Sequence, residues 1–251
     1  MRILIVNDDG ITAPGINALI EVAKKFGQIT VVAPDKPQSG MGHAVTLNST
    51  LRVNKTIKEG IEYYACSGTP VDCVKIAVSK LMPERPNLIL SGINHGSNSS
   101  INVIYSGTMS AAMEGSIEGI PSIGFSLCNH DIDADFSTAK IYVEKIIEST
   151  IQNHLETPIC LNVNIPNATK DIISGIKICR QANGNWEEDF DERTDPHGKT
   201  YYWLTGKFVI YDKSEDTDEW ALANNYVSVV PVQYDVTNYS VLNTLKQLEN
   251  A

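Results

Sequence analysis

The chain has 251 residues, is 42% hydrophobic and 20% charged, and sets 30 acidic against 20 basic residues for a formal net charge of −10. That balance suits one large globular domain with or without an extension, and it argues against a broad nucleic-acid footprint, which needs clustered Lys and Arg. The first apolar run is only about five residues long and no run approaches the roughly 18 apolar residues of a membrane span, so neither a leader peptide nor a membrane segment is expected.

The first predicted strand, 2–6 (RILIV), runs straight into Asn7, Asp8, Asp9 and Gly10. A helix is predicted over 14–26, with Pro14 at a first-turn position and Ile16, Leu19, Ile20 and Ala23 on one face. A strand at 29–33 (ITVVA) leads into the Gly/Ser loop PDKPQSGMGHAVT, which holds Ser39. Residues 41–67 read as a small β excursion, a hairpin by its pattern, and 71–81 as a second helix. The strand 87–91 precedes SGINHGSNSS, which holds Asn94 and Asn98. SGT at 106–108 opens a helical run of small residues. A strand at 121–126 precedes a third amphipathic helix at 137–152, with Ser137 as its expected N-cap, and a strand at 159–165 follows. Beyond about residue 175 helices thin out. YYWLTGKFVIY (201–211) and YVSVVPV (226–232) read as strands, the acidic stretches 185–193 and 212–220 as solvated loops, and 238–249 as a short closing helix.

Apolar strands alternating with amphipathic helices predict an α/β fold: a mostly parallel sheet with helices on both faces. The five cysteines, Cys66, Cys73, Cys128, Cys160 and Cys179, are odd in number, irregularly spaced and without a CxxC pair. They read as reduced, mostly buried thiols of a cytoplasmic protein.

In such a sheet ligands bind beyond the carboxyl ends of the strands. Asp8 and Asp9, Ser39, and Asn94 with Asn98 all follow strand ends and can share one edge. Two carboxylates just past a strand end either cap the first turn and helix or hold a cation. The oxygen donors Ser39 and Asn94 at matching strand ends favour the cation, a hard one such as Mg²⁺ or Mn²⁺. Two carboxylates neutralise a divalent ion without saturating it, which suits an anionic substrate oxygen. Ser106, Gly107 and Thr108 offer hydroxyls and helix N-terminal N–H groups to an anion, although Ser and Thr also serve as ordinary caps there. SGTP at 67–70 reads as mainly structural.

Five blocks, ILIVNDDGITAPGI, VVAPDKPQSGMGHAVT, CSGTPVDCV, PNLILSGINHGSN and YSGTMSAAMEG, make residues 1–126 resemble the SurE family, with a looser likeness in the last third. The resemblance implies a Rossmann-like catalytic domain, taken as 1–175, and a β-rich extension, 176–251, in which the 201–232 strands form an arm that pairs subunits into homodimers or homotetramers. It implies a metal-dependent phosphomonoesterase acting on nucleoside 5′- and often 3′-monophosphates, and on short polyphosphate, with one Mg²⁺ or Mn²⁺ per subunit. The family's metal ligands fall on Asp8, Asp9, Ser39 and Asn94, with Asp8 and Asp9 as catalytic carboxylates. Its phosphate contacts fall on Asn98, Ser106, Gly107 and Thr108. Two departures stand out: Ser100 replaces a family glycine, and Tyr239 occupies the place of a C-terminal His found in some members. His43 reads as structural, and His95, beside a ligand but expected to point away, is assigned no role. The implied partners are small nucleotides, with no membrane and no long nucleic acid. A signalling receiver module also pairs acids at its first strand end, but the loop after the third strand here, SGIN, lacks its phospho-accepting Asp. The D-x-D-x-T of haloacid-dehalogenase phosphotransferases is absent too. A non-catalytic nucleotide-binding module stays open as the alternative.

Overall fold

The computed structural model describes residues 1–153 and 159–250. Its centre is strand β1 (Arg2–Val6), and the reason lies in its side chains. Every residue from Ile3 to Val6 is fully buried, and alternation sends successive side chains to opposite faces. Ile3 and Ile5 pack against Ile16 and Leu19 of helix α1 (Pro14–Ala23) and, beyond them, the helix at 137–152. Leu4 and Val6 join a second core on the other face with Cys73, Val74 and Ala111. A strand apolar on both faces needs helices on both faces, which is the three-layer arrangement observed.

The other strands are β2 (Gln28–Pro34), β3 (Val53–Lys58), β4 (Ile61–Cys66), β5 (Leu88–His95), β6 (Ser122–Leu127), β7 (Cys160–Ile165), β8 (Gly175–Ile178), β9 (Gly184–Thr194), β10 (Thr200–Ile210) and β11 (Tyr226–Val232). Nine of them form one sheet in the order β3-β4-β2-β1-β5-β6-β7-β11-β8, while β9 and β10 make a separate two-stranded sheet. Strands β4, β2, β1, β5, β6 and β7 are mutually parallel; β3 and β11 are added antiparallel. The chain leaves β1 to one side for β2 and later returns to the other side for β5. The β1/β5 junction is therefore the topological switch point, where an open parallel sheet leaves a crevice.

The expected hairpin in 41–67 is confined to β3 and β4. The other helices are α2 (Pro70–Ile76), which runs on into a π turn at Ala77–Leu81, α3 (Gly107–Ile117), α4 (Ser137–Gln152), α5 (Asp218–Ala223) and the closing α6 (Leu242–Leu245). Ser137 is not the N-cap of α4. Phe136 takes that position without a side-chain bond, and Ser137 donates its N–H and hydroxyl to Asp135 instead.

The acidic stretches correct the loop expectation. Residues 185–193 are strand, paired in register with β10 along its whole length. The side chains of 185–194 are exposed on both faces of this ribbon, so no alternation marks it in the sequence. The 212–220 stretch turns inward at its end: Thr217 caps α5, and Asp218 is buried. Of the 201–232 strands, β10 stands off the body in the hairpin, while β11 lies inside the large sheet between β7 and β8.

The SGTP loop is structural, as read. Thr69 and Asp72 form a reciprocal capping box at the start of α2. The Asp72 carboxylate also accepts from the Thr46 N–H at 3.1 Å and the Thr46 hydroxyl at 2.5 Å, tying the 41–52 segment to the helix. Burial pushes the Asp72 pKa up, but the bonds from Thr46 and Thr69 outweigh it and the net shift is downward. Its stabilisation is thus present above the ordinary carboxyl value and lost as pH falls through the depressed one. Asp72→Asn is expected to cost about 2 kcal/mol at neutral pH in urea unfolding. Variant and wild type should converge in stability in acid.

Candidate active site

At the carboxyl end of β1 the chain turns sharply. Asn7 donates its side-chain amide to the Gly10 carbonyl at 2.9 Å, and Gly10 sits at φ +99°, a conformation that suits glycine. Asp8 is 3% exposed, and Asp9 is half-buried beside it. Burial first, and then the charge of Asp9, raise the Asp8 pKa to about 6 against the lowering effect of Thr108. Burial also raises Asp9, against the N–H of His95, which donates to its Oδ2 at 3.3 Å. Two acids are thus held where ionising both is unfavourable, a deficit that a cation corrects.

The loop after β2 is brought to this edge by the Gln38 N–H, which donates to the Asp8 carbonyl at 2.8 Å. That places Ser39, exposed, on the rim of a cavity of about 600 Å³ together with Asp8 and Asn94. Asn94, at the end of β5, donates Nδ2 to the Gly96 carbonyl at 2.8 Å, which turns its Oδ1 into the available ligand atom. Asp9 opens instead to an adjoining cavity, and His95 lines both. The donor set of two carboxylates, a hydroxyl and an amide oxygen contains no thiolate or imidazole and fits a hard divalent cation.

The other predicted residues approach from α3 and the β5–α3 loop. Ser106 caps α3, accepting from the Met109 N–H at 3.0 Å, so its own hydroxyl proton remains free for a ligand in the cavity it lines. Thr108 is fully buried and donates to Asp8 Oδ1 at 2.5 Å. Its hydroxyl is committed to the carboxylate. Gly107 is required for contact: a Cβ there would lie 2.7 Å from the Asp8 Cβ and 2.9 Å from its Oδ2. Asn98 is buried at the cavity wall, with Nδ2 donating to Ser126 at 2.8 Å and its N–H to Asn164 at 2.7 Å.

Several lining residues escaped the sequence reading. Glu219 reaches the cavity from α5 and accepts from the Ser99 hydroxyl at 2.5 Å. Its neighbour Asp218 accepts from the Ser100 N–H at 2.8 Å and the Ala182 N–H at 2.9 Å. Trp186 and Phe208 face the cavity from the hairpin. His95 was assigned no role, yet its Nδ1 lies 3.0 Å from the Asp131 carbonyl, so Nδ1 carries the proton, and its buried Nε2 has no partner among the described residues.

The geometry agrees with what the chain resembles. A family model described as "Survival protein SurE" matches residues 3–188. The chain belongs to the SurE family. A protein of Flavobacterium psychrophilum named 5′-nucleotidase SurE is 59% identical over 97% of this chain and 95% of its own. One of Christiangramia forsetii with the same name is 57% identical over 97% and 95%. The crystal structure of a SurE protein from Aquifex aeolicus superposes with a TM-score of 0.85 at 40% identity, covering 99% of this chain and all of that one.

Within the SurE frame the two departures have distinct fates. Ser100 holds φ +52°, a left-handed conformation, and is kept there by Asp218 on its N–H and by its own hydroxyl donating to the Ala182 carbonyl at 2.9 Å. Tyr239 is exposed on the tail, hydrogen-bonded to Asp235, and does not line the cavity. Gly107→Ala should displace Asp8 and lower the affinity for Mn²⁺ by at least about ten-fold in a calorimetric titration, with melting little changed. Unaltered affinity would show that the close approach of Gly107 to Asp8 is not needed.

Proposed function

We propose that this chain is a divalent-cation-dependent 5′-nucleotidase that hydrolyses nucleoside monophosphates to nucleoside and phosphate. The observation that carries the reading is the meeting of Asp8 and Asn94 with the N-terminus of α3 in one cavity at the sheet's switch point. The names of the relatives support the activity. Mg²⁺ or Mn²⁺, one per subunit, would be held by Asp8, Asp9, Ser39 and Asn94. When bound it supplies Lewis-acid polarisation of a phosphoryl oxygen and screens the charge that develops there.

The chain's own residues do the rest. Of the first N–H groups of α3, which have no partner within the helix, that of Thr108 turns to the Asp8 carboxylate, and that of Gly107, with the helix dipole, attracts the phosphate. The Ser106 hydroxyl donates to a second oxygen. The N–H of Asn98 that Ser126 does not take is available for a third. Thr108 holds the Asp8 carboxylate in place, so Asp8 presents a fixed oxygen toward phosphorus or toward the attacking water. A pre-set array of donors costs little reorganisation in the transition state, which is where such catalysis gains most.

The same reading takes 3′-monophosphates and short polyphosphate as further substrates and the cytoplasm as the compartment. It makes the hairpin of β9 and β10, the part of 176–251 that stands off the body, the arm of a homodimer or homotetramer. Phe190, Tyr202, Trp203 and Leu204 support this, because they leave apolar surface exposed along the hairpin. No helix among the described residues is long and apolar enough to cross a membrane.

Phosphate release from 5′- and 3′-nucleoside monophosphates and a short polyphosphate, with Mg²⁺, Mn²⁺ or excess chelator, tests the activity. Release is expected with metal and is expected to stop with chelator. Asp9→Asn should abolish metal-dependent turnover while circular dichroism and melting stay those of the wild type. Normal turnover with normal metal affinity in that variant sinks the scheme. Nucleotide binding without release under either metal would favour a binding module.

A further inference from the structure

The cavity is chemically divided. Its polar lining comes from the strand ends and the cap of α3, while Trp186, Phe208 and Leu222 come from the hairpin and α5. Its volume of about 600 Å³ falls among pockets that enclose a whole drug-sized ligand, roughly 300–1,000 Å³. A phosphate group alone leaves most of it unfilled.

Trp186 differs from the other tryptophans. Trp203 is exposed on the hairpin away from the cavity, and Trp220 is stacked on Tyr226 with ring planes 21° apart. The Trp186 indole N–H donates to Asn102 Oδ1 at 2.8 Å, and its ring leans on Phe208 at 5.5 Å between centroids. The ring is nevertheless 41% exposed, and it faces the cavity. The hairpin root beneath it is pinned to the 99–102 segment by Asp218, which accepts from both Ser100 and Ala182, and by the close approach at Gly184, where a Cβ would lie 3.0 Å from Ser100 Oγ. An aromatic face held in place with its polar edge satisfied offers stacking area at low ordering cost.

We propose that Trp186 is the surface on which the nucleobase of the substrate stacks, and so the residue that makes this site select nucleotides over other phosphomonoesters. The proposal rests on the nucleotidase reading and adds the wall that recognises the base. Phe208 packs against the ring beside it in the cavity lining, and Asn102 holds its indole N–H. Stacking reads an aromatic face and no particular hydrogen-bond pattern, so the site accepts several bases.

The test compares kcat/KM for adenosine 5′-monophosphate with that for ribose 5-phosphate, which lacks the base, in wild type, Trp186→Ala and Trp186→Phe. The ratio should fall about ten-fold in Trp186→Ala, mainly through KM for the nucleotide, and recover in Trp186→Phe. A ratio that stays within about two-fold of wild type overturns the proposal. Calorimetric binding of adenosine 5′-monophosphate with Mn²⁺ separates the two readings. Binding that Trp186→Ala weakens, without phosphate release by any form, upholds the stacking wall and removes the hydrolase. Binding that Trp186→Ala leaves intact removes the wall whether or not phosphate is released, and a wild type that does not bind removes both.

Discussion

A carboxylate at the buried end of a central parallel strand is the constraint around which the site is built. Asp8 lies two positions beyond four consecutive buried apolar residues, after the buried Asn7, and has almost no access to water. Its negative charge must be compensated locally or be given up to a proton. One hydrogen bond from Thr108 and the N-terminus of α3 provide part of the compensation. The adjacent Asp9 adds to the demand. A divalent cation at this point would satisfy the electrostatics that the fold leaves open. On the proposed reading, one buried acid would thus account for both a cation and an anion at one place.

Helix α3 serves this constraint at both ends of its role. Its N-terminus meets Asp8. Its Glu114, 2% exposed, accepts from Lys75 at 2.5 Å and pairs with His43 at 2.9 Å. Burial raises the Glu114 pKa, but the bonds from His43 and Lys75 outweigh it and keep the carboxylate ionised below its ordinary value. His43 belongs to the loop that carries Ser39, so one helix both presents its N-terminus to Asp8 and fixes that loop. The Gly42 N–H, which donates to the Tyr105 carbonyl at 3.1 Å, makes the same connection from the backbone.

Much of this was legible from the residues. Runs of β-branched residues marked the parallel strands, and the rule that ligands gather at their carboxyl ends singled out Asp8, Asp9, Ser39 and Asn94 as neighbours. The structure brings Asp8, Ser39 and Asn94 to one cavity and opens Asp9 to the next. The hairpin was half-legible. Its β10 strand is aromatic and apolar, but β9 is acidic on both faces because both are exposed, so neither periodicity nor hydrophobicity distinguishes it from a loop. Asp218 and Glu219 were hidden for a related reason. They end a run of solvated acids, and only the fold, by folding α5 over the 99–102 segment, gives them N–H and hydroxyl partners.

The polar seam behind Asn98 shows why sequence distance conceals such sites. Asn162 donates to the Asn98 carbonyl, Asn164 accepts the Asn98 N–H, and Ser126 accepts from its side chain, all within 2.8 Å. Each of these residues sits in the interior of a strand, where an apolar residue is the ordinary choice, and each is buried. A buried amide is tolerable only when its bonds are made, so the seam forces the 96–102 loop into one conformation. That loop ends at Ser100, pinned by Asp218, and at Asn102, which holds Trp186. Rigidity thus passes from strands β6 and β7 through Asn98 to the aromatic wall, and the two chemically different halves of the cavity are positioned by one continuous set of satisfied hydrogen bonds.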